Sequence, residues 1–113
     1  MRVIAITRVS TEEQKDANNS LPAQEARVER YCASKDLPKP QIFSFDESAY
    51  SGKRKFFAEI VQIIIAEKDT VVLCLDKIDR LTRDVFDTNV AKLDDLRKEG
   101  KLIMHFISDN VVI

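Results

Sequence analysis

Thr70-Val71-Val72-Leu73-Cys74-Leu75 is a near-continuous apolar run with no polar face. A strand of that kind is stable only when both of its faces are covered, which is the environment of a central strand in a parallel sheet. Three other short runs flank it in sequence: Val3 to Thr7, Gln41 to Phe45 and Leu102 to Ile107. Helical patterns separate them. From Ser20, a plausible N-cap followed by Pro22 in the first turn, a helix is predicted to about Lys35, with Leu21, Gln24, Val28, Tyr31 and Cys32 on its inward stripe. Asp36 to Pro40, with two prolines, breaks it. A second helix opens at Lys53 and Arg54, after Ser51 as cap. Phe56, Phe57, Ile60, Val61, Ile63, Ile64 and Ile65 give it a wide apolar arc that should be heavily buried. A third carries Leu81, Val85, Phe86, Val90, Leu93 and Leu96 inward and stops at Gly100, a common C-cap residue. The order β-α-β-α-β-α-β implies an α/β fold: a mostly parallel central sheet of about four strands, with helices on both faces in three layers. Ser108 to Ile113 comes after the last strand with no assigned element.

In sheets of this kind, ligands collect beyond the carboxyl ends of the strands. The first strand ends in Arg8-Val9-Ser10-Thr11. If strand geometry persists one step, Arg8 and Ser10 share a side, because residues two apart in a strand face the same way. A hydroxyl beside a guanidinium can hold or attack a phosphate; the plainer reading is a strand ending in a polar turn. Gln24 is out of place on an apolar stripe, and its position in a first turn puts it near the end of that strand. Arg54 opens a helix, where the N-terminus already favours anions. Arg80 and Arg83, three apart, share a helix face and can reach one anion. Four arginines and a serine at one edge suit a phosphate, whose oxygens match guanidinium forks.

The net charge is −1, so nucleic-acid binding has to come from such a local patch rather than from the whole surface. Hydrophobic residues at 44 % and charged residues at 33 % describe a globular chain of one domain. No apolar run approaches the roughly 20 residues of a membrane span or the pattern of a signal peptide. Cys32 and Cys74 fall in a predicted helix and a predicted strand and read as buried, reduced thiols of a cytosolic protein. His105, the only histidine, lies late in the fourth strand and reads as a structural residue.

Arg8-Val9-Ser10-Thr11 with Gln14, then Ser20-Leu21-Pro22-Ala23-Gln24, then Ser51-Gly52 with Arg54, then Asp79-Arg80-Leu81-Thr82-Arg83-Asp84, in this order, resemble the catalytic domain of serine recombinases. This is the resolvase/invertase family, with the large serine integrases and related transposases. The resemblance runs from about Val3 to Asp109. It implies a resolvase-like, flavodoxin-like architecture and a site-specific DNA recombinase. Ser10 would attack a DNA phosphodiester to give a transient 5′-phosphoserine linkage, after which strands are exchanged and religated. Arg8, Arg80 and Arg83 would hold the scissile phosphate, with Arg54 as a further basic group. Gln14 and Gln24 would be polar supports. Asp79 would orient an arginine or assist proton transfer; as a bare residue it reads equally as a helix cap. No metal, nucleotide or other cofactor is implied. DNA is the implied partner, together with self-association to dimers and tetramers, in the cytoplasm of a bacterial cell or from a phage.

The chain departs from the family at Ile6, where a tyrosine is common, and in a compact stretch from Asp46 to Arg54. Family members continue into a long dimerisation helix and DNA-binding domains, so residues 1–113 are expected to be a catalytic domain that alone does not recombine DNA. Two other readings start from the residues. Asp46, Asp76 and Asp79, with Glu47, lie near strand ends and could hold Mg²⁺ in a metal-dependent nuclease or phosphatase. A non-enzymatic flavodoxin-like interaction module would keep the fold without the chemistry.

Overall fold

A computed structural model of the chain describes residues 1–9, 20–46, 53–76 and 88–113. The elements are β1 (Arg2–Val9), α1 (Leu21–Ser34), β2 (Gln41–Asp46), α2 (Lys53–Ala66), β3 (Val71–Leu75), α3 (Thr88–Lys98), β4 (Leu102–Phe106) and β5 (Val111–Val112). The strands form one sheet in the order β2-β1-β3-β4-β5. β1 pairs in parallel with β2 and with β3, and β3 in parallel with β4. β5 runs antiparallel to β4.

Every residue of β3 is buried, as the unbroken apolar run requires. The alternation of side chains along the strands divides the interior into two cores. Ile4, Ile6, Leu73, Leu75, Met104 and Phe106 pack on one face against Ile60, Val61 and Ile64 of α2 and Leu93 and Leu96 of α3. Val3, Ala5, Val72 and Cys74 pack on the other face against Val28 and Cys32 of α1. The three layers are therefore α1, the sheet, and α2 with α3. The wide apolar arc of α2 is only partly used. Ile65 stays half-exposed, because the sheet and α3 together cover less than the full circumference of the helix.

The helix ends obey local chemistry. Ser20 caps α1, its Oγ accepting from the Ala23 N–H at 3.4 Å. α1 closes when Leu37 N–H donates to Cys32 O at 2.9 Å, a bond that places Asp36 at a φ of +55°. α3 closes in the same way: Lys101 N–H donates to Leu96 O at 3.0 Å across Gly100, whose φ is +78°. The expected Ser51 cap of α2 and the expected inward positions Leu81, Val85 and Phe86 lie outside the described residues.

β5 is an addition to the expected four strands. Ile107 to Asn110 forms a tight turn, with Asn110 at a φ of +52°, and returns the chain along β4. Met104 and Ile113 exchange both backbone hydrogen bonds at 2.9 Å just past the assigned pairs. A two-residue strand after Ser-Asp-Asn carries too little alternation to register as a strand.

Candidate active site at the carboxyl edge of the sheet

Because β1 to β4 are parallel, Val9, Asp46, Leu75 and Phe106 end at one edge. The chain leaves β1 toward β2 on one side and returns from β2 to β3 on the other. The carboxyl ends of β1 and β3 therefore flank the point where the winding reverses, the usual ligand position in such sheets. A small pocket of about 10 Å³ opens there, near the lower limit for seating one water molecule. Ile6 and Thr7 of β1, Gln24, Arg27 and Val28 of α1, Asp76 after β3 and Ile107 after β4 line it.

Gln24 is 8 % exposed, one of two buried polar residues among those described. The first turn of α1 carries it to the edge where β1 ends, as its place on the apolar stripe predicts. Thr7 is the other, and its hydroxyl lies 2.9 Å from that of Ser44 in the paired position on β2. Asp76 is held from the β4 side: Ser108 Oγ donates to Asp76 Oδ1, and Ser108 N–H donates to Asp76 O at 2.9 Å.

Of the other predicted site residues, Arg8 lies within β1, paired in register with Phe45, so the strand does persist past Thr7. Arg54 lies in the first turn of α2. Both are placed here by their backbone alone. Ser10, Gln14, Asp79, Arg80 and Arg83 lie outside the described residues. Ser10 directly succeeds Val9 in the chain, and Asp79 comes three positions after Asp76. Among the described residues, no group of three His, Cys, Asp or Glu side chains could hold a metal ion.

Sequence reasoning misses Arg27, Thr7 and the contact of Ser108 with Asp76, although it names Asp76 as a candidate metal ligand. Arg27 had a usable signal, since it is three residues past Gln24 and so shares its face of α1. Ser108 had none, because its contact depends on the turn after β4.

Tyr31, His105, Cys32 and Cys74, on the α1 side of the sheet, pack into the scaffold. Tyr31 Oη and His105 Nδ1 lie 2.6 Å apart, with the rings edge to face at 76°. Burial, and then the Lys35 charge, lower the His105 pKa below its ordinary value. Burial raises that of Tyr31, with Cys74 and Cys32 adding to the effect. Cys32 and Cys74 are free and buried, and burial pushes the Cys74 thiol up to about 12. A thiol held neutral in this way is inert near pH 7. Neither Tyr31 nor His105 is among the residues that line the pocket.

A family model described as Resolvase, N terminal domain, matches residues 3–111. Searches of curated proteins and of solved structures return no significant match.

Proposed function

The chain belongs to the resolvase N-terminal domain family, the catalytic domain of serine recombinases, and on that premise we propose that Ser10 breaks DNA by direct attack on a phosphodiester. The observation that carries this reading is the parallel pairing of β1, β2 and β3. Their carboxyl ends share one edge, and each leads in the chain to one part of the motif set. Ser10 comes after β1, Ser51-Gly52 and Arg54 after β2, and Asp79, Arg80 and Arg83 after β3. Buried Gln24 stands at that same edge.

In the proposed reaction, Ser10 Oγ forms a bond to phosphorus and the P–O3′ bond breaks. The serine proton leaves to a base, for which Asp79 is a candidate, and O3′ gains a proton as it departs. The phosphodiester becomes a 5′-phosphoserine linkage, and the reverse step with a new 3′-hydroxyl reseals DNA. The bond count is conserved, so no energy source is needed. Negative charge spreads over the phosphoryl oxygens in the transition state. Arg8, Arg80 and Arg83, with Arg54, would neutralise it as guanidinium groups that never titrate near pH 7. Gln14 and Gln24 would support the nucleophile. The DNA substrate, and assembly into dimers and tetramers for strand exchange, belong to this proposal.

A pool of randomised DNA duplexes with a 3′-bridging phosphorothiolate tests it. The departing 3′-thiol reseals poorly, so the covalent adduct accumulates. The expected product is a peptide carrying a nucleotide on Ser10, absent in Ser10→Ala. Arg8→Ala and Arg80→Ala should each lower adduct formation about a hundredfold while moving the melting temperature little. An adduct on another residue, or equal loss of folding and cleavage, would overturn the assignment.

A further inference from the structure

The chain has two cysteines, Cys32 in α1 and Cys74 in β3, and the fold brings them together. Both are free, both are almost fully buried, and both belong to the core on the α1 side of the sheet. A side-chain hydrogen bond joins them. It has a direction. It favours the thiolate at Cys32 and disfavours it at Cys74, so Cys74 donates and Cys32 accepts. Burial raises both thiols, but only at Cys32 does the hydrogen bond act the other way.

Cys32 also has a route to solvent. A groove of about 310 Å³ lies beside the end of α1, lined by Glu29, Cys32, Ala33, Leu37, Lys39 and Pro40. That is far more than the roughly 10–15 Å³ of such space that seats one water, so a small reagent can enter it. Cys74 does not line the groove. One thiol is therefore approached from outside, and the other stands behind it as a hydrogen-bonded neighbour. A thiol backed by a second one in this way has a resolving partner in place.

We propose that Cys32 and Cys74 form a redox-responsive pair, which a hydroperoxide oxidises to a disulfide joining α1 to the central strand. The Cys32 thiolate attacks the terminal peroxide oxygen. The O–O bond breaks, the alcohol leaves with a proton, and Cys32 becomes a sulfenic acid. The Cys74 sulfur then attacks the Cys32 sulfur, the S–O bond breaks, and water leaves with the Cys74 proton. Two thiols and one hydroperoxide give one disulfide, one alcohol and one water; the sulfurs lose two electrons and the peroxide gains them. Burial keeps the thiolate fraction small, so the pair answers sustained oxidant rather than traces. The bond closes the long loop from position 32 to position 74 and ties the helix that carries Gln24 to the sheet.

The test treats the folded chain with excess hydrogen peroxide, blocks remaining thiols and maps peptides without reduction. The expected product is a Cys32–Cys74 cross-link within one chain. Its melting temperature should lie about 5 °C or more above that of the reduced protein and return on adding dithiothreitol. With dimedone present during oxidation, Cys74→Ala should carry the sulfenic-acid adduct on Cys32. Cys32→Ala should carry about tenfold less on Cys74. The proposal is overturned if no cross-link forms or if cross-links join only separate chains. It is also overturned if the bonded form melts below the reduced one, since the native packing would then not accommodate the bond. Preferential labelling of Cys74 overturns the assignment of Cys32 as the attacking thiol. If either alanine variant does not fold, brief dimedone trapping on the wild-type chain decides between the two. None of these readouts involves DNA cleavage, so their failure leaves the recombinase reading as it stands.

Discussion

His105 shows how a single residue can be read for its chemistry and still belong to the scaffold. Its Nδ1 lies against the Tyr31 hydroxyl. With the ring proton on Nε2, Nδ1 accepts the hydroxyl hydrogen; in a charged ring Nδ1–H would donate to the Tyr31 oxygen instead. Burial and Lys35 lower its pKa in the folded state, so the unfolded chain takes up a proton first as pH falls. The stabilisation from the neutral ring is complete above the ordinary histidine value of about 6.5 and is lost below it. Chemical denaturation should therefore show stability declining as pH falls below about 6.5, and His105→Gln should flatten that decline. The site residues are legible to unequal degrees at this scale. Gln24 stands out because a polar group on an apolar stripe needs a reason. Thr7 does not, since a threonine in a strand is ordinary, and its burial comes from the α1 layer above it. Asp76 reads in sequence as a loop charge open to a metal, whereas its carboxylate is engaged by Ser108, a contact across 32 residues that no local pattern encodes.

Helices and strands here are readable where local physics decides and unreadable where pairing decides. Ser20, Pro22 and Gly100 mark helix ends through capping chemistry that acts within a few residues, and α1 and α3 begin or end where they say. β5 has only two residues and exists because β4 offers an open edge. Gly100 allows a direct test. A Cβ built there meets nothing within 4 Å, so packing does not oppose alanine. Its φ of +78° does, because an L side chain is strained in that region. Gly100→Ala should cost about 1 kcal/mol in a denaturant titration with an unchanged m-value. Asp36 sits in the same region at +55° with a side chain already present. Asp36→Gly should be neutral or slightly stabilising in the same assay.

For the whole molecule, the deciding feature is a sheet with a core on each side, both sharing β3. Leu73 is fully buried in the larger core, between β1 and β4 and under α2 and α3. Leu73→Ala should destabilise by about 2–5 kcal/mol, seen as a drop in the denaturant midpoint, because the surrounding strands are hydrogen-bonded and cannot collapse into the space. The α/β class is legible from one apolar run, since two covered faces leave few alternatives. No helix among the described residues is long and apolar enough to cross a membrane. The position of β1 carries a further consequence, one of time. β1 is the first strand in the chain, yet it pairs on both edges, with β2 at Ile4–Gln41 and with β3 at Arg2–Val71. Its second partner lies about seventy residues downstream. At a synthesis rate of roughly 5–20 residues per second, the growing chain holds an unpaired apolar strand edge for several seconds before β3 exists to close it. During that interval β1 is a template for pairing with other nascent chains, so a strand paired on both edges at the end of synthesis stays open along one of them during it.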